Sequence, residues 1–205
     1  LCLWQSCQSQ AYRVHGDGFA YALDQPAKKY SLPGRLREVS GLTWIGPGML
    51  GLIQDERADW YQYDLQQDEV VDERDFGKNG DFEGIELIGD QLWALRSDGR
   101  LYQFALNATK PDAQVHKTAL DEDNDVEGLG YWPATGQLLL ACKGEGAQPA
   151  SGKVRGKAIY TFDVDKKQLS EQPLFTITDS AMAGFLSEDT NRAVTFNPSA
   201  IAWHP

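Results

Sequence analysis

Histidine and cysteine are scarce in this chain. Three of each occur among 205 residues. No CxxC pair or Cys/His cluster is present, so neither a zinc site nor a dithiol redox motif is suggested. The histidines are His15 in the N-terminal tail, His116 in an expected outer strand and His204 near the last residue. None falls on an inner strand, where a general base would be expected. There is no G-x-S-x-G elbow to present a nucleophile, and no run long and apolar enough to cross a membrane. Basic residues are outnumbered, with 19 Lys and Arg against 30 Asp and Glu and a formal charge of −11. Such a surface repels phosphate backbones and anionic headgroups, which argues against a nucleic-acid partner and makes a cation the more natural ligand. Solubility alone accounts for most of the excess acid. The 41% hydrophobic and 24% charged content excludes global disorder. Cys142, in the apolar run LLLAC, reads as a small buried hydrophobe.

One short phrase is written four times: EVSGLTW at 38–44, DFEGIEL at 81–87, DVEGLGY at 125–131 and NPSAIAW at 197–203. Aligning Ser40, Glu83, Glu127 and Ser199 gives intervals of 43, 44 and 72 residues. A period near forty carried by strand-like phrases predicts an all-β fold, a β-propeller of four-stranded antiparallel blades with its functional region at the ring axis. After each phrase come a Gly-containing turn, an apolar run and a third-strand phrase. The third-strand phrases Tyr61-x-Tyr63-x-Leu65, Tyr102-x-Phe104-x-Leu106 and Tyr160-x-Phe162-x-Val164 share a period of two. Alternation places those rings on one strand face as core, packed against the neighbouring blade. In the first-strand phrase, the small residues Gly41, Gly84, Gly128 and Ala200 suit an inner strand where backbones converge.

The longer third interval holds two insertions, 144–157 and 178–196, the second with the makings of a short helix. On a repeat scaffold insertions map to one rim, either shaping a mouth or forming tolerated surface loops. Three blades and a fourth inner strand are counted, whereas closed propellers typically need four to eight blades. The stretch Lys28–Leu32 stands where an outer strand of a last blade would stand. The expectation is therefore a piece of a longer ring, with residues 1–17 as a tail or the end of an export signal and 18–205 as a partial propeller. In the tail, apolar residues run into Ser6-Cys7 and then polar Gln8-Ser9-Gln10, which resembles a bacterial lipoprotein signal with Cys7 as lipid acceptor. Trp4 departs from that pattern, and a processed secretory leader or an uninformative tail are the alternatives. An envelope address is favoured over cytosol, with contact to a membrane only through a lipid anchor.

The phrases EVSGL, GDFEGIE, NDVEGL and FNPSAIAWHP, with Asp55-Glu56 closing a second strand, resemble the SdiA-regulated domain family over residues 28–205. The resemblance implies a six-bladed, exported or envelope-associated bacterial propeller, some members of which are linked to calcium. Neighbouring phytase-like and esterase-like propellers keep an enzymatic reading in view by analogy.

From the residues themselves, acids on successive inner strands converge near one axis, and oxygen-rich groups suit a hard cation such as calcium. The candidate metal ligands are Glu38, Asp81, Glu83, Asp125 and Glu127, with Ser40, Asn197 and Ser199 as weaker donors. Against this stands a structural reading, in which inner-strand carboxylates bond backbone amides of the next blade. The run DEDNDVE at 121–127 lacks the glycine and closing glutamate of a calcium loop and reads as a solvated acidic turn. The expected function is a monomeric, non-catalytic envelope propeller binding calcium, a small ligand or an envelope protein at its axial opening. The alternative is a metal-dependent hydrolase of phosphate or carboxylic esters, for which Arg37, Arg57, Arg96 and Lys143 are the only suitably placed basic groups, although they read first as surface charges.

Overall fold

The computed structural model of the chain describes residues 26–144, 156–178, 181–182 and 196–203. Two compact units divide it, Leu1–Ser31 and Leu32–Pro205. Of the first, residues 26–31 are described, and Lys28 Nζ lies 4.2 Å from the Tyr30 ring centroid. Residues 28–32, the stretch expected to serve as an outer strand of a last blade, carry no strand assignment.

The second unit is all-β, with three antiparallel sheets built as propeller blades. Blade 1 runs β1 (Val39–Gly46), β2 (Met49–Gln54), β3 (Asp59–Asp64) and β4 (Glu69–Asp75). Blade 2 repeats it with β5 (Phe82–Ile88), β6 (Gln91–Arg96), β7 (Leu101–Ala105) and β8 (Gln114–His116). Blade 3 has β9 (Val126–Trp132), β10 (Gln137–Cys142) and β11 (Lys157–Asp163), and its outer strand comes in two pieces. These are β12 (Gln168–Leu169) and β13 (Phe175–Ile177), each pairing with a different end of β11. Each sheet is a simple meander in sequence order, which short turns allow and which places every third strand between two partners.

Alternating rings weld the blades together. Tyr102 and Phe104 of β7 are buried with Trp60 and Phe76 of blade 1, and Tyr160 and Phe162 of β11 are buried with Trp93 and Leu95 of blade 2. Phe76 stacks on Phe104 at 4.7 Å and meets Phe82 edge-on at 5.0 Å. Contacts of this kind add about 0.5–1.5 kcal/mol each beyond the area they bury. In β7 and β11 the third-strand phrase is thus inter-blade core, whereas Tyr61 and Tyr63 of β3 are buried with Leu36 and Leu52.

The first strands β1, β5 and β9 lie side by side, and glycine sets their distance. A Cβ on Gly41 would sit 2.8 Å from Gly84 Cα, and one on Gly84 would sit 2.6 Å from Leu129 Cβ. The fourth phrase continues the series against β9, where Trp203 stacks on Trp132 at 4.8 Å. It does so without strand pairing, so the expected fourth inner strand is a packed segment rather than a ladder.

The turn before β9 is better built than its composition suggested. Asp121 caps a single 3-10 turn, Glu122–Asn124, by accepting from Asp123 N, while Asn124 Oδ1 accepts from Asp121 N at 2.7 Å. Glu122 and Asp123 are solvated as expected, but Asn124 is buried. Of the two insertions, residues 145–155, 179–180 and 183–195 lie outside the described part. The start of the expected helix is visible in the amides of Ala181 and Met182, which donate to the Thr178 carbonyl at 3.0 and 3.1 Å.

Candidate functional site

Each inner strand carries a β-bulge at the same place. The pairing of β1 with β2 skips Ser40, that of β5 with β6 skips Glu83, and that of β9 with β10 skips Glu127. These are the aligned positions of the repeated phrase. A bulged residue has no partner on the neighbouring strand, and the extra residue re-aims its side chain. Glu83 and Glu127 therefore leave the simple alternation of their strands. Both line a cleft of about 390 Å³ at the inner strands, together with Ser40, Leu42, Ile85, Glu86 and Leu129.

Main-chain bonds hold the acidic end of this cleft. Glu38, Asp81 and Asp125, which precede the three inner strands, accept from the amides of Asp55, Ser97 and Lys143 at 3.2, 2.9 and 2.8 Å. Asp55 and Ser97 in turn accept from the amides of Phe82 and Val126 in the following blade, at 2.7 and 2.8 Å. In blades 1 and 2 the residue after the second strand thus ties its own inner strand to the next. The acids are placed by their backbone carbonyls, independently of their side chains.

Four carboxylates meet electrostatically at that end. Glu83 is pushed up from 4.5 to about 8, first by burial, then by the charges of Asp81 and Glu127, a side-chain hydrogen bond with Asp81 and the charge of Asp125. Low local dielectric and crowded like charge both disfavour the carboxylate, so Glu83 keeps its proton at neutral pH. Lys143 answers part of this charge: its Nζ lies 2.5 Å from Glu127 Oε1 and 3.7 Å from Asp125 Oδ2. Its own affinity for a proton rises, chiefly through the hydrogen bond with Glu127.

The five candidate ligands thus divide. Asp81, Glu83, Asp125 and Glu127 are brought together, whereas Glu38 is exposed and does not figure among the charges acting on Glu83. Ser40 and Ser199 line the cleft, and Ser40 Oγ is buried with no hydrogen-bond partner. Asn197 is exposed and outside the lining. Among the described residues, no group of three or more His, Cys, Asp or Glu side chains is placed to hold a metal ion. The proposed lipid acceptor Cys7, with His15 and His204, lies outside the described residues.

Glu86 was missed by the sequence reading. It accepts from Thr43 Oγ1 of blade 1 at 3.2 Å and from Tyr131 N of blade 3 at 3.3 Å. Burial raises its pKa, opposed by those two hydrogen bonds. One carboxylate therefore bridges three blades, which is the structural role foreseen for inner-strand acids but filled by another residue. The signal was an acid inside the otherwise apolar end of the phrase FEGIELI. Other reactive groups are occupied. His116 is buried, stacks on Trp93 at 5.2 Å and shares a 2.9 Å hydrogen bond with Gln103 Oε1. Burial pushes the Cys142 thiol up to about 12. Of the basic groups, Arg57 pairs with Asp59 at 2.7 Å and Arg96 pairs with Asp98.

No family model matches the chain, and no curated protein matches it. Solved structures similar to it include the computationally designed Ika4 protein, 11% identical with a TM-score of 0.47 over 75% of this chain and 85% of that one. Hydrazine synthase of Kuenenia stuttgartiensis is 12% identical, TM-score 0.49, over 69% of this chain and 38% of that one. The Cps50 (Swd1) β-propeller domain of Myceliophteria thermophila is 16% identical, TM-score 0.42, over 64% of this chain and 40% of that one. The propeller assignment rests on the repeated blades of the chain itself.

Proposed function

We propose that this chain is a non-catalytic, envelope-associated propeller that binds a cation, with calcium as the first candidate, or a small ligand or protein at the axial end of its inner strands. The observation that carries the reading is the recurrence of a bulged position whose acids, Glu83 and Glu127, gather with Asp81 and Asp125. A bound cation would replace the proton that Glu83 holds and offset the charge that Lys143 leaves unanswered. The donors suit calcium in kind, since they are carboxylate oxygens. They suit it less in arrangement, because no three among the described residues are placed as a ready ligand group and Lys143 already sits on Glu127. Asp81, Glu83, Asp125 and Glu127 would hold the ion.

The non-catalytic reading is supported by the state of the reactive groups. Cys142 stays a thiol near neutrality, and His116 is engaged in the blade 2 core. Envelope association rests on the phrase ending at Cys7 and on the resemblance to the SdiA-regulated domain family. The test is thermal melting with and without calcium, reversed by a chelator, followed by assay on chromogenic phosphate and acyl esters. Chelator-reversible stabilisation without turnover supports the reading. Turnover that is lost in Glu83→Gln or Glu127→Gln overturns it in favour of a hydrolase.

A further inference from the structure

The row of four phrases makes one kind of contact three times. A Cβ on Gly41 would lie 2.9 Å from Ile85 N, one on Gly84 2.6 Å from Leu129 Cβ, and one on Gly128 3.2 Å from Ile201 Cγ2. The apolar residue of each phrase thus seats on the small residue of the phrase before it, and Ile85 and Leu129 are 3% and 7% exposed. At the two ends of the row the halves of this contact stand open. Leu42, the counterpart of Ile85 and Leu129, is 62% exposed, and Ala200, the counterpart of the glycines, is exposed too. Trp44 follows Leu42 on the same face of β1 and is 58% exposed. Its counterpart Trp203 stacks on Trp132, one phrase back. The other face of β1 is occupied, because Thr43 is buried and donates to Glu86 of blade 2. Further out on the open face, Leu52, Tyr61 and Tyr63 are buried with Leu36. The uncovered part is therefore confined to the inner strand, the width of one packed phrase.

We propose that Leu42 and Trp44 seat on the fourth phrase of a second copy of this chain, at Ala200, so that copies join head to tail. Both halves of a contact made three times within the molecule are exposed on that same molecule, and each is complementary to the other rather than to itself. The contact between copies continues the one between phrases. Such an interface is heterologous, and the rotation between copies decides whether it closes into a ring or runs on as a filament. The fourth phrase packs on β9 without a ladder, so a phrase needs no strand pairing to hold this contact. Association of this kind replaces the monomer expected from sequence and is independent of the axial-cation reading.

The experiment is sedimentation velocity of the full chain from about 1 μM to about 200 μM. It is run at about 0.15 M salt, which screens the −11 charge of each copy. Wild type is expected to pass from monomer to dimer or larger species across that range. Leu42→Asp and Ala200→Arg should each weaken association about tenfold or more, since each buries an unpaired charge in the contact. Both side chains are exposed in the single copy, so urea melts of the two variants should match wild type. Trp44→Ser gives a second test of the β1 half. Each variant keeps one sound half, so a mixture of Leu42→Asp with Ala200→Arg should form 1:1 dimers and nothing larger. A wild type that stays monomeric throughout overturns the proposal. Assembly that both variants retain overturns it as well, and so does a mixture of the two that stays monomeric.

Discussion

Glu83→Gln is the substitution that reads the axial charge cluster most directly. The wild-type side chain keeps its proton to about 8 in the folded protein, against 4.5 ordinarily. Between those values the unfolded chain has released a proton that the folded chain still holds. The unfolded state binds fewer protons there, so folding stability falls as pH rises through the window. The full interval is worth about 5 kcal/mol at about 1.4 kcal/mol per pH unit. Glu83 is only partly buried, and solvent screening reduces that ceiling to roughly 1–2 kcal/mol. Glutamine is uncharged at every pH and close in shape, so it removes this slope. Urea melts of both proteins from pH 4.5 to 8.5, in buffer with chelator, give a difference curve that cancels other titrating groups. The variant should match wild type near pH 4.5 and exceed it by roughly 1–2 kcal/mol near pH 8.5. For a chain of this length that corresponds to about 2–8 °C in melting temperature. A difference curve flat across the window, or one that falls with pH, refutes the placement of the acids around Glu83.

Three further outcomes follow from packing and burial. Gly84→Ala puts a methyl 2.6 Å from Leu129 Cβ and should destabilise by about 1–3 kcal/mol in urea melts; an unchanged midpoint would mean that β5 and β9 do not approach as described. Glu86→Ala leaves Tyr131 N and Thr43 Oγ1 without their acceptor and should cost about 1–3 kcal/mol in the same assay. Glu86→Gln keeps an acceptor oxygen and relieves a buried charge, so it should be much milder. Cys142 is fully buried with its thiol pushed up to about 12, so it should resist iodoacetamide at pH 8 in the folded protein and react once urea unfolds it.

What could be read from sequence was whatever repeats within one strand. Period-two rings at Tyr61, Tyr63, Tyr102, Phe104, Tyr160 and Phe162 signal a buried strand face without any knowledge of partners, and all six are buried. Glycine at 41, 84 and 128 signals close approach for the same reason. The features that escaped depend on pairing between strands. Strict alternation puts Asp81, Glu83 and Ile85 on one face, but the bulge at Glu83 breaks the parity, and a bulge is a property of two strands in register. The role of Glu86 is likewise set by an amide and a hydroxyl 45 and 43 residues away. The burial of Asn124 comes from local capping chemistry, with Asn in the place where glutamate or glutamine would have announced a capping box.

The repeat also separates what the fold needs from what the site needs. Glu83 and Glu86 stand three residues apart on one strand, yet their surroundings are opposite. Glu86 receives two hydrogen bonds from two other blades, so the architecture uses its charge. Glu83 stands among like charges that oppose its ionisation. At the position equivalent to Glu83, the first and fourth phrases carry Ser40 and Ser199, and the blade 1 bulge forms with serine in it. A bulged inner strand therefore does not require a carboxylate there. Placing glutamate at two adjacent copies of that position crowds like charge at the axial end, and only Glu127 gains a cationic partner there, Lys143. A cation bound at the axial end would offset that crowding, which is the physical ground for proposing the site at Glu83 and Glu127 rather than at the better-satisfied Glu86.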